Sequence, residues 1–304
     1  MDPANRNNRI RRYLSFEKLM DLIQCDRIYV CRADILEDKY EGHYTRQIYD
    51  IARGISIIQK GNADNTEIIK KREKWRKMTY INCWTRSCSD NVALWKIYGG
   101  TKNSVAIETT EECLERELRD GSIDGNWEIV SNGNRDSLPL SKSFDLSKLT
   151  LHDVKYIDYN SPSNELATKL LLSAPEIPFT HKHKAFSHEE EVRIICQPCP
   201  TLFIPPSPHV PGDLQIINGR DYLLHHLNDC PEHFDSCPNN TVRFPKGLTI
   251  RVDSRKLIDK VWVGPYAEKW FYNLLTEVLK KFEFAQDIIE WSGLRTPPHK
   301  RTTT

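Results

Sequence analysis

The stretch FSHEEEVRII, Phe186–Ile195, sets three consecutive glutamates against a run of apolar, mostly β-branched residues. Val192, Ile194 and Ile195 have the character of a buried strand, so residues 191–197 read as one. A period of two then places Glu189 and Glu191 on one face and Glu190 on the other. Two readings follow. One is a strand start with a solvated acidic edge, or Glu191 in a structural ion pair with Arg193 or a lysine. The other is an active-site carboxylate held by a rigid strand.

Around this strand the chain mixes strands and helices without a strict βα alternation. Ile10–Leu14 reads as a strand and Ser15 as the cap of a helix carrying Phe16, Leu19, Met20 and Ile23 at helical spacing. Arg27–Arg32 is a strand, LEDKYEG (Leu36–Gly42) a charged loop, and 43–78 one or two polar helices with Trp75 near the end. A strand at Met78–Thr85, a short helix at Asn91–Tyr98, a Gly99-Gly100 break and a strand at Ser104–Thr109 come next. Thr109 and Glu112 have capping-box spacing for a helix through Arg119. The Gly-, Asn-, Asp- and Ser-rich stretch 121–147 predicts a long loop. Further strands are expected at 151–159, 213–218 and 247–252, a helix at Asn164–Ser173, and a Pro-, Asn- and His-rich insertion at 229–246. Near the end, Lys260–Val263 is a strand. Trp270, Phe271, Leu274, Leu275, Val278, Leu279 and Phe282 then mark the core face of an amphipathic helix.

The expectation is an α+β fold with a mixed, mainly antiparallel sheet, flanking helices and that C-terminal amphipathic helix. It forms one domain over 10–290, with loop insertions at 121–147 and 229–246 and flexible tails at 1–9 and 296–304. The 304 residues are enough to bury a core, and 28% charged against 39% hydrophobic excludes a disordered chain. A net charge of +1 demands neither nucleic acid nor membrane. No apolar run is long enough to span a bilayer, and no apolar segment of signal type opens the chain. Nine irregularly spaced cysteines then read as reduced thiols in a cytoplasm.

Four segments carry chemistry-bearing residues: Arg11-Arg12-Tyr13, the LEDKYEG loop with Asp38 and Glu41, INCWTRSCSDNVALWKIYGG (Ile81–Gly100), and the glutamate strand with Lys182, Lys184 and His188 before it and Arg193 within it. The spacing Phe186-x-x-Glu189-x-Glu191-x-Arg193, preceded by a lysine, resembles the mostly bacterial family catalogued as domain of unknown function 2971. IRRY at 10–13 resembles that family's opening strand. LEDKYEG resembles its acidic loop, with Glu37 and Lys39 where asparagine and proline are usual. CWTR…ALWKIYGG…SVAIE and DKVWVGP resemble its middle block and its ending. The resemblance covers about residues 10–290, and the family name carries no function.

The order of residue types also looks like an ADP-ribosyltransferase layout: Arg12 on the first strand, Trp84-Thr85 and Tyr98 in the middle, Glu189-x-Glu191 late. That layout implies an enzyme that uses NAD, as a transferase to an unknown macromolecular acceptor or as a glycohydrolase, of the kind found in toxins and phage-defence effectors. Cleaving the nicotinamide–ribose bond passes through an oxocarbenium-like state that a facing carboxylate stabilises. Glu191 is the candidate for that role, and Glu189 for orienting or deprotonating the acceptor. Arg12, Tyr13, Thr85, Trp95, Tyr98 and Arg193 are candidates for holding NAD, Arg12 on its diphosphate or a ribose and Trp95 or Tyr98 on nicotinamide. Packing is the competing role for Trp95 and Tyr98, which stand at i and i+3 of a helix. His188 reads equally as a turn residue.

Three other readings stand beside this one. Asp38, Glu41, Glu189 and Glu191 around Mg²⁺, with Lys182 or Lys184 near a phosphate, would make a nuclease or phosphodiesterase. Cys196-x-x-Cys199 with Cys230, Cys237, His225 and His226 has a second gap too wide for a usual zinc pair. A non-enzymatic binding module would use the same motifs for core packing.

Overall fold

The computed structural model describes residues 8–61, 64–86, 89–100, 102–131, 134–142, 144–160, 176–198, 201–202, 217–218 and 241–295. It opens with β1 (Arg9–Ser15), α1 (Phe16–Cys25) and β2 (Arg27–Arg32). Leu19, Leu22 and Ile23 share one face of α1 and pack on Ile10, Leu14, Ile28 and Val30 of the two strands. The helix ends where Asp26 turns left-handed (φ 46°) and its N–H returns to the Leu22 carbonyl. Then come α2 (Arg46–Lys60), α3 (Thr66–Met78), β3 (Tyr80–Thr85), α4 (Val92–Tyr98), β4 (Ser104–Thr110) and α5 (Glu111–Arg119). The α5 cap is Thr110, whose hydroxyl accepts the Cys113 N–H at 3.1 Å. Thr109, expected to be that cap, is still within β4 and buried.

Residues 121–147 overturn the expected loop. They form β5 (Ile123–Asp124) and an antiparallel hairpin of β6 (Asn126–Ser131) and β7 (Asn134–Pro139). The chain continues with β8 (Leu151–Asp153), β9 (Lys155–Ile157), β10 (His181–His183), β11 (Glu191–Cys196), β12 (Thr201–Leu202), β13 (Ile217–Asn218), β14 (Thr241–Arg243) and β15 (Gly247–Arg251). It closes with α6 (Ser254–Leu257), β16 (Lys260–Val263), α7 (Lys269–Lys281) and β17 (Ile289–Trp291).

The strand expected over 151–159 is broken at Val154, because β8 pairs with β11 while β9 pairs with β10. The end of the expected insertion at 229–246 is strand β14, paired with β6. The expected helix at 164–173, most of the strand at 213–218, residues 229–240 and the tails 1–7 and 296–304 lie outside the described residues. On α7 the core face is narrower than its apolar stripe: Phe271, Leu275 and Leu279 are buried, whereas Trp270 is 53% exposed.

The protein is α+β, with a ten-stranded mixed sheet in the order β17-β16-β4-β1-β3-β2-β15-β5, joined at β3 by β11 and then β8. Every pairing in it is antiparallel except β16 with β17. β11 runs along all of β3, from Glu191↔Thr85 to Cys196↔Tyr80. A strand has two edges, so β1 and β2 must share the other. β1 touches it at Arg11↔Thr85 and β2 at Cys31↔Ile81 and Arg32↔Tyr80. Between those contacts β1 and β2 splay away from β3 and leave a wedge beside Cys83. Asn82 spans part of it: its side chain donates to the Tyr29 carbonyl at 2.9 Å and accepts the Trp84 indole N–H at 2.6 Å.

The loop after β2 is pinned by Gly42, which has φ +69° and lies so close to Phe179 that a Cβ would stand 2.1 Å from its ring. Gly42 also gives its carbonyl to the buried Arg72 at 2.8 Å. Gly42→Ala is therefore expected to cost about 1–3 kcal/mol, from left-handed strain and overpacking together, read as a lower urea midpoint with unchanged slope. Among the described residues, no helix is long and apolar enough to cross a membrane.

Candidate active site

The acidic run does not lie wholly on a strand. Lys184–Glu189 coil into a 3₁₀ turn, Glu190 is left-handed (φ 44°, ψ 50°), and β11 begins at Glu191. In an extended strand, residues two apart sit about 7 Å apart. The left-handed residue instead folds Glu189 back, so that both carboxylates reach one buried ammonium. Lys182 Nζ is 2.5 Å from Glu189 Oε2 and 3.1 Å from Glu191 Oε2. Burial alone would lower the Lys182 pKa, but Glu191 and Glu189 outweigh it and hold it well above its ordinary value.

Glu191 is 5% exposed. Its Oε1 accepts Arg193 Nε at 2.8 Å, while its Oε2 faces Lys182. Its N–H donates to the Tyr156 hydroxyl at 2.7 Å. Burial pushes its pKa up, but the Arg193 and Lys182 charges overrule that and keep it below the ordinary value, hence ionised. The Glu189 Oε1 accepts the Tyr98 hydroxyl at 2.8 Å.

Arg193, fully buried, also donates to Glu41 Oε1 at 2.6 Å and to the Phe179 carbonyl at 2.7 Å. Glu41, Glu189 and Glu191 thus share two cations, Lys182 and Arg193. The excess negative charge falls on Glu41, which burial, opposed by Arg193 and reinforced by Glu191, pushes up to about 7. A carboxyl whose folded pKa lies above its ordinary 4.5 contributes stability that is complete below 4.5 and lost as pH rises through about 7. Glu41→Gln is expected to remove that part of the slope, so that thermal midpoints measured from pH 5 to 8 fall less steeply than in the parent chain.

The wedge between β1, β2 and β3 holds a cavity of about 530 Å³. Arg12, Tyr13, Thr85, Tyr98, Glu189 and Glu191 all line it. Arg12 and Arg11 separate by strand alternation. Arg11 is buried on Glu108 at 2.9 Å, over the Trp262 ring. The Arg12 guanidinium lies 6.0 Å over the Trp84 ring and, among the described residues, has no hydrogen-bond or ion-pair partner. Burial lowers its pKa, with no carboxylate to offset it.

Two expected ligand contacts are elsewhere. Trp95 is 1% exposed, stacks edge-on against Tyr13 at 4.8 Å and donates its indole N–H to Asp90 at 3.1 Å. It packs behind the cavity wall because α4 turns that face onto β1. Arg193 lies beneath Glu191 and does not line the cavity. Asp38 is buried and accepts the Tyr40 N–H at 2.8 Å, also away from the cavity. His188 is exposed and contributes its carbonyl to Asn91 Nδ2 at 2.9 Å, and Lys184 pairs with Asp158.

The ion pair expected for Glu191, with Arg193 or a lysine, is formed with both Arg193 and Lys182. Sequence reading missed two contributors, the α1 face that walls the wedge and Asn82, for which spacing gave no signal. Among the described residues no group of three or more His, Cys, Asp or Glu could hold a metal ion. Of the carboxylates of the magnesium reading, Glu41, Glu189 and Glu191 are taken up by Arg193, Lys182 and Tyr98, and Asp38 lies apart on the Tyr40 N–H. Cys196 is buried with a free thiol, and the other residues of the zinc reading lie outside the described residues. Compared with known proteins, the chain matches no family model, no curated protein and no solved structure.

Proposed function

We propose that the wedge cavity takes NAD and that Glu191 stabilises the ribosyl carbon as the bond to nicotinamide breaks. One observation carries the reading: an ionised carboxylate, immobilised by two cations, lines a half-open cavity that also presents a guanidinium with no ion-pair partner among the described residues. A fixed charge aimed at a site where positive charge develops costs no reorganisation during reaction. Arg12 is suited to a diphosphate, which it can bind bidentately. The aromatic walls Tyr13 and Tyr98 suit the flat rings at either end of NAD. The order of Arg12, Thr85, Tyr98 and Glu191 along the chain, which resembles that of ADP-ribosyltransferases, supports the same reading. Such an activity inside a cell depletes NAD or marks a macromolecule, which fits a toxin or phage-defence effector.

The test is nicotinamide release from NAD by the full chain, with and without EDTA. Release that survives the chelator is expected. Release abolished by EDTA would point to metal chemistry at these carboxylates, and no release at all would remove the NAD reading. Arg12→Ala is expected to raise KM for NAD about 10–100-fold, the loss of a charge-assisted contact. An unchanged KM would exclude Arg12 from the diphosphate.

A further inference from the structure

We infer that the acceptor of the ribosyl group is water, so that the products are nicotinamide and free ADP-ribose; this rests on the NAD reading above. In the sequence, Glu189 stands two residues before Glu191 as the group to receive a macromolecular acceptor. The structure withdraws it from that task. Glu189 closes a 3₁₀ turn and is 4% exposed. One of its oxygens accepts the Tyr98 hydroxyl and the other the Lys182 ammonium. Both donors keep their protons, since burial and Glu189 raise the Tyr98 pKa and the two carboxylates raise that of Lys182. Freeing Glu189 for a guanidinium, a hydroxyl or a base would leave Lys182 half-unpaired in the interior, a large penalty.

The Glu189 side of the site is also bridged. An acceptor atom has to come within about 3–3.5 Å of the ribosyl carbon. Two ties join α4 to the 3₁₀ turn that carries Glu189: Tyr98 to Glu189 at 2.8 Å and Asn91 to the His188 carbonyl at 2.9 Å. Glu189, Glu191 and Lys182 are all buried behind them. A water is small enough to reach C1′ past these ties, whereas an ordered protein or nucleic-acid surface approaching on that side has to break them. The C1′–N bond of NAD breaks and its electron pair leaves with nicotinamide. A water oxygen bonds to C1′, and one water proton goes to solvent. Glu191 stays ionised throughout.

The experiment uses the full chain and NAD labelled in its adenylate half, with and without a cell lysate as a source of protein and nucleic acid. Free ADP-ribose is expected in equal amount to nicotinamide, with no label on the chain or on lysate macromolecules. Methanol added as a competing small nucleophile is expected to divert part of the product to methyl ADP-ribose. Label accumulating on a macromolecule in step with nicotinamide would overturn the assignment of water while leaving NAD cleavage in place. Absence of nicotinamide release would remove both.

Discussion

Glu191→Gln is expected to lower kcat for nicotinamide release about 10²–10³-fold while KM stays within a few-fold of the parent value. The substitution keeps shape and removes the charge. Ground-state NAD has little positive charge at C1′ beyond that shared with the nicotinamide ring, so binding depends weakly on the carboxylate. The transition state concentrates charge on the ribose and depends on it strongly. The geometry sharpens this, because Lys182 and Arg193 remain in place, paired with Glu189 and Glu41, and the glutamine leaves a cluster with no net negative charge facing the developing cation. The pH dependence follows from the same pairing. Glu191 is held below its ordinary pKa, so its contribution is present at neutral pH and is lost only as pH falls through that depressed value. A variant with parent kcat would mean that this charge takes no part in the chemistry.

The second large effect concerns stability. Arg193→Met is expected to cost about 3–5 kcal/mol, the usual penalty for breaking a buried ion pair from one side. That corresponds to a melting point lower by roughly 10 °C. Arg193 is fully buried and joins Glu191, Glu41 and the Phe179 carbonyl, so methionine strands Glu41 and the carbonyl and leaves Glu191 with Lys182 alone. Adding Glu41→Gln to Arg193→Met removes one stranded charge and is expected to recover part of the loss. Melting within about 1 °C of the parent chain would show that these groups are solvated rather than locked together.

These two residues also show how much was legible in the sequence. The strand character of Val192–Ile195 is local, and so are the boundaries of β2 and the period of α7; each was read within a residue or two. β6 and β7 read as a loop because Gly, Asn, Asp and Ser dominate residues 121–147, although Trp127, Ile129 and Val130 are strand formers and Asn132-Gly133 is a pair that favours tight hairpins. Glu189 was misplaced because the left-handed turn sits on a glutamate, a residue type that gives no warning of positive φ. Spacing alone also left Trp95 and Tyr98 equivalent. Only the packing of α4 on β1 decides that one is core and the other faces the cavity. The wedge itself arises from two strands meeting β3 at different points, a tertiary register that no stretch of sequence encodes by itself.

The most direct measurement of the central claim is a crystal structure of the Glu191→Gln chain with NAD bound. The expected result has the dinucleotide in the wedge between β1, β2 and β3, its diphosphate in hydrogen-bonding contact with Arg12 and its nicotinamide ribose against residue 191. NAD bound on another surface with the wedge unoccupied, or a diphosphate turned away from Arg12, would contradict it.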